Sequence, residues 1–167
     1  MSSVTWPASL VPSAASLRLS TVQRVHASPF GGSEQVVDLL NDRWLLSLTL
    51  SARAGFDKGA QIEAFIAALR GQTNYVALWH FARPSVRGTL ASATAASAAQ
   101  GASAVVLTGS GTLKAGDMLG ISGLLLQVAA DVTVGTSTSV SIVNRLRSAV
   151  SGTVTLTRPT ANFRLTG

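Results

Sequence analysis

The chain has 167 residues, no cysteine, and a formal net charge of +6 from 13 basic and 7 acidic residues. Disulfides, thiolate chemistry and zinc–thiolate sites are therefore excluded. Hydrophobic residues make up 47% and charged residues only 12%, about half the roughly 25% of an average soluble domain; this excludes a disordered chain and implies that neighbours in an assembly cover much of the surface.

Residues 1–7 lack a positive segment followed by an apolar core, so no secretory signal is read there. Leu17 and Leu19, then Val22 and Val25, suit a half-buried strand or hairpin. Pro29, Gly31 and Gly32 break the chain, and residues 36–39 can form a second strand. The segment 43–50 is the clearest strand of this half, with Trp44, Leu46, Leu48 and Leu50 on one face by the two-residue period. A helix is expected over residues 57–70. Asp57 is read as its N-cap, and Ile62, Phe65, Ile66 and Leu69 form an apolar stripe at i, i+3, i+4 and i+7. Arg70 suits the negative end of the helix dipole, and Gly71 is placed to end the helix. Residues 75–81 return as a strand.

From Gly88 the composition shifts to Ala, Ser, Thr and Gly, which reads as a linker or a plain outer strand up to residue 104. The longest uncharged stretch, 88–113, is not continuously apolar and is a poor membrane span. Short β segments then recur at 104–108, 118–121, 124–129, 139–143 and 153–156. Ser122-Gly123 makes a tight turn, and other glycines fall between the strands. Such spacing implies a small barrel or sandwich. Arg83-Pro84 and Arg158-Pro159 flank this part, and Phe163 and Leu165 are expected to pair back with the first unit's sheet. The fold class is thus mainly β with one helix (α+β). Residues 1–87, completed by 154–167, form a strand-rich unit with one packed helix, and 88–153 form an inserted small β domain.

Catalytic signatures are sparse. The chain has two histidines, His26 and His80. His80 lies between Trp79 and Phe81, where a packed strand histidine is expected, and no Gly-x-Ser-x-Gly elbow occurs. Two histidines without cysteine, in no ligand spacing, point to no metal site. Gly109-Ser110-Gly111-Thr112 lacks the ending of a phosphate loop, so no nucleotide cofactor is implied. Gly116-Asp117 before an apolar strand reads as a turn in which Asp117 bonds local amides. Basic residues are scattered, the tightest pair being Arg145 and Arg147, so no nucleic-acid partner is expected.

The order of these pieces carries a resemblance: the Arg43-Trp44 strand, the helix with Ala64-Phe65-Ile66-Ala67-Ala68-Leu69-Arg70-Gly71, an aromatic strand and Arg83-Pro84. A second β unit opened by Gly116-Asp117 follows, then the closing Pro159-Thr160-Ala161-Asn162-Phe163-Arg164-Leu165. From about Phe30 to Leu165 this resembles the distal tail and minor tail proteins of long-tailed bacteriophages. The resemblance implies a structural virion protein at the tail tip, made in the host cytoplasm and not an enzyme. It implies a ring, six copies in number, joining the tail tube protein to the hub or tail-tip protein. No catalytic residues carry over from it. Candidate interface residues are Arg43, Arg83 and Arg87. A second reading is a carbohydrate- or receptor-binding β module; residues 88–167, whose one aromatic is Phe163, lack the Trp or Tyr that stacks on sugars. A third is a cell-wall hydrolase, for which His80 and Asp117 would be the residues to test.

Overall fold

A computed structural model describes residues 1–27, 31–39, 41–51 and 55–166. The expected break at Pro29 lies outside them. The fold is mainly β with a single helix among the described residues.

The first unit is built around a three-stranded sheet in the order β1 (Ser3–Val4), β6 (Tyr75–Leu78), β15 (Ala161–Phe163). The middle strand pairs in parallel with β1 and antiparallel with β15, whose Phe163 lies opposite Val76. Helix α1 (Phe56–Leu69) packs on this sheet, closing a small core of Leu69, Val76 and Leu78 ringed by Trp6, Leu46, Leu48, Phe65, Phe81 and Phe163. Trp6 meets Phe65 and Phe81 edge-on, at centroid distances of 5.2 and 5.6 Å. The helix differs from the sequence pattern at both ends. Gly55, at φ 82°, is the N-cap and makes no side-chain bond. Asp57 sits instead inside the first turn, where its charge meets the positive end of the dipole. Arg70 itself adopts the left-handed conformation, at φ 47°, and Gly71 follows it there. Ile66 is not on the packed stripe: it is half exposed, because the sheet covers only the side carrying Ile62, Phe65 and Leu69. The strand expected over 75–81 ends at Leu78.

Between β1 and α1 the chain makes a long two-stranded ribbon. Its foot pairs β2 (Ala14–Ser20) with β5 (Arg43–Thr49), and its outer part pairs β3 (Gln23–Ala27) with β4 (Glu34–Asp38), all antiparallel. At the foot, Ala15, Leu17 and Leu19 lie across from Leu48, Leu46 and Trp44 and are half-buried. The period-two reading of the 43–50 strand describes this face.

The second unit is a curled six-stranded antiparallel sheet. Its order is β11 (Leu124–Gln127), β10 (Met118–Ile121), β14 (Val150–Thr155), β7 (Ala93–Ala98), β8 (Ala104–Gly109), β13 (Thr138–Ser141). The two outermost strands meet: Val128 bridges Ile142, with Ala129 N donating to Ser141 O and Val143 N to Gln127 O. A further pair, β9 (Gly111–Leu113) with β12 (Val132–Val134), lies against it. The core holds Leu107, Leu113, Leu119, Ile121, Leu126, Val128, Val140 and Leu146, each at most 5% exposed. The linker or outer strand expected before residue 104 is instead an inner strand of the sheet. Ala93 and Ala95 of β7 are buried between β14 and β8, a place where small side chains let the curled sheet close tightly.

Both Arg-Pro segments lie at the passage between the units. Ser85 bridges Thr157, Val86 N donates to Leu156 O, and Arg158 N donates to Pro84 O. The chain therefore leaves the first unit and re-enters it side by side with itself.

Candidate interaction surfaces

The ribbon touches the second unit along its middle. Trp44 Nε1 donates to Leu125 O at 2.7 Å, and Asn144 Nδ2 donates to the same carbonyl at 3.2 Å. Asp42, buried, accepts from Arg145 N at 2.9 Å, and Asp38 Oδ2 lies 3.4 Å from Arg145 Nε. These bonds hold the ribbon's foot against the curled sheet of the second unit. Beyond them nothing among the described residues covers it: every residue of β3 and β4 is exposed. Val25 and Val36, which face each other across the ribbon, are 58% and 56% exposed, and Leu39 is 45% exposed. Five residues per strand make this arm about 17 Å long. A two-stranded hairpin exposed on both sides is marginally stable in water, and this arm exposes apolar residues on both of its faces.

Helix α1 poses the same problem. Only Leu69 is fully buried, whereas Phe56, Ala60, Ala64, Ile66, Ala67 and Ala68 are exposed, Phe56 at 91%. A helix that is apolar around most of its circumference belongs between two packed layers. Here it has one.

The three arginines singled out from the sequence fall in two places. Arg43 lies on β5 opposite Ser20, and its Nε donates to Asn41 Oδ1 at 3.2 Å. Arg83 and Arg87 are brought together on the 114–117 turn. Arg83 Nη1 donates to Gly116 O at 3.0 Å, and Arg87 donates to Ala115 O and Asp117 Oδ1. Both guanidiniums thus have partners within their own chain.

Asp117 is the organising group of that turn. Its carboxylate is almost wholly enclosed and accepts from Lys114 N at 2.9 Å, Arg87 N at 3.1 Å and Arg87 Nε at 3.0 Å. Burial alone would raise its pKa, but the two amides and the guanidinium outweigh burial and hold the carboxyl below its ordinary value. Lys114 and Asp131 pair on the surface at 2.9 Å. His80 is buried, and its Nδ1 has no hydrogen-bond partner among the described residues. Burial, and secondarily Arg83, lower its pKa, so the imidazole is neutral at pH 7.

Asp117 accepts from three donors. No cluster of three metal-ligating side chains occurs among the described residues. Two open surface depressions lie among the described residues, one of about 140 Å³ at Thr112, Lys114 and Asp131, the other of about 330 Å³ at His26, Glu34 and Gln35. Neither includes His80 or Asp117. No described helix is long and apolar enough to cross a membrane.

Reasoning from sequence pointed to arginines and missed the arm and the outer helix face. A signal was present: residues 56–69 contain three ionic side chains, Asp57, Lys58 and Glu63, too few to wet a helix with one free side. No family model matches the chain, and comparison with curated proteins finds no match either.

Proposed function

We propose that the chain is a structural subunit of a bacteriophage tail tip, forming a ring that joins the tail tube protein to the hub. The observation that carries this reading is the pair of unpartnered apolar surfaces, the arm and the outer side of α1, on a chain with only 12% charged residues. A solitary soluble protein keeps such surfaces polar. The order of sequence pieces that resembles distal tail proteins supplies the setting. Catalysis has no part in this reading, and the enclosed Asp117 turn is structural. Six copies around the tail axis agree with a heterologous contact that closes on itself.

The test is direct. Negative-stain images of the purified chain are expected to show rings, and a labelled antibody against it is expected to decorate one end of tail particles. Label distributed along the tail or absent from particles would refute the tail-tip assignment. A carbohydrate-binding role is not adopted, since residues 88–167 hold no Trp or Tyr.

A further inference from the structure

Resting on the ring reading, we infer that the arm of one copy seats on the outer face of α1 of the next copy, through the arm's cationic side. The pairing register sorts the arm into two faces. Residues directly opposite each other share a face, so Arg24 with Val37 and His26 with Gln35 lie on one side, and Val25 with Val36 on the other. Val22 and Leu39, joined by the Leu39 N to Val22 O bond, continue the first side. That side is apolar and cationic: Val22, Val37 and Leu39 are 38%, 38% and 45% exposed, and Arg24 and His26 stand beside them. The opposite side carries Glu34 and Asp38, and Asp38 is held by Arg145 of its own chain.

The helix offers the complement. At 100° per residue, Phe56, Ala60, Ala64 and Ala67 point away from the packed side that holds Ile62, Phe65 and Leu69. Its flanks there are acidic, Asp57 on one side and Glu63 on the other, while Lys58 turns toward the packed side. An apolar surface edged by carboxylates matches an apolar ribbon edged by Arg24 in charge as well as in polarity. Among the described residues both surfaces are exposed, so no described part of the same chain covers either. The two surfaces also differ in kind. Their pairing is head-to-tail, which propagates from copy to copy and closes as a ring, whereas helix-on-helix or arm-on-arm pairing would stop at two.

The absence of cysteine makes the test clean. Val37→Cys and Ala64→Cys are prepared as separate variants of the full chain and treated with a short bismaleimide, singly and mixed. Contact raises the effective thiol concentration to the millimolar range, so the mixture is expected to give at least roughly tenfold more cross-linked dimer than either variant alone. The double variant is expected to give a ladder that ends at the ring size. Gln35→Cys, on the same arm face, repeats the test should Val37→Cys weaken the ribbon, and Thr133→Cys on β12 is the silent control. A ring-sized particle by light scattering without mixed cross-links overturns the arm-on-helix contact and leaves the ring reading standing. Strong cross-linking of Ala64→Cys with itself overturns that contact too, and with it the ring, because helix-on-helix pairing stops at two. A chain that stays monomeric at every concentration overturns both.

Discussion

Replacing Asp117 by alanine isolates the physics of the turn that opens β10. The carboxylate is 1% exposed and accepts from two backbone amides and one guanidinium nitrogen, at 2.9 to 3.1 Å. Each amide left without an acceptor in an enclosed site costs about 1–3 kcal/mol. The Arg87 guanidinium is 54% exposed and finds water instead, so its pairing adds at most about 1 kcal/mol. The sum is about 2–7 kcal/mol, or a drop of about 4–28 °C in Tm for a chain of this length. Calorimetry and urea unfolding at pH 7 measure it. Asp117→Asn, which keeps one acceptor oxygen but turns an amino group toward a donor, is expected to fall between alanine and the natural residue. The sign with pH follows from the lowered pKa. The carboxylate's contribution is complete above its unfolded value of 3.8 and is lost as pH falls through the folded value below it. The gap between Asp117→Ala and the natural chain should therefore narrow in acid below about 3.8. An alanine variant within about 0.5 kcal/mol of the natural chain at pH 7 would refute the assignment of those three bonds.

His80 acts on the same acid limb of the pH profile, at higher pH. Its folded pKa lies below 6.5, so the unfolded chain binds a proton there that the folded chain does not. Stability is expected to decline as pH falls below 6.5, and His80→Leu should flatten that decline in unfolding curves between pH 5 and 8. Gly88→Ala should be among the most damaging single changes, since its Cβ would lie 1.8 Å from the Thr112 carbonyl oxygen. The clash is with backbone and cannot be relieved by a rotamer change, so a loss of about 3 kcal/mol or more is expected in urea unfolding. Trp44→Phe removes the donor to Leu125 O that ties the ribbon to the curled sheet of the second unit. A modest cost of about 1 kcal/mol is expected, because Asn144 still bonds that carbonyl, together with faster amide exchange across β3 and β4.

The parts of the fold visible in the sequence are those governed by local periodicity. The alternation along residues 43–50 marks a strand with one buried face, and the spacing of Ile62, Phe65 and Leu69 marks a helix with one packed side. The glycine-punctuated segments after residue 104 are the strands of a curled sheet. Residues 93–98 were illegible because alanine, serine and threonine carry no strong preference. Their place in the sheet comes from β8 and β14, which are distant in sequence or unremarkable in pattern. Asp57 misleads as an N-cap for a related reason: an acid is favourable at the cap and in the first turn alike, and Gly55 takes the cap through its positive φ. For interaction, the arginines drew notice by their charge, yet Arg83 and Arg87 are spent on holding the 114–117 turn. The surfaces that lack partners are apolar, and exposure of an apolar residue is a tertiary fact that composition announces only through the shortage of charge.

Sedimentation velocity of the purified chain across a hundredfold range of concentration bears most directly on the claim that its uncovered apolar surfaces exist to meet other copies. A single closed species of about six subunits, fed by monomer as concentration rises, is the expected result. One monomeric boundary throughout, with the arm and helix face left in water, would contradict it.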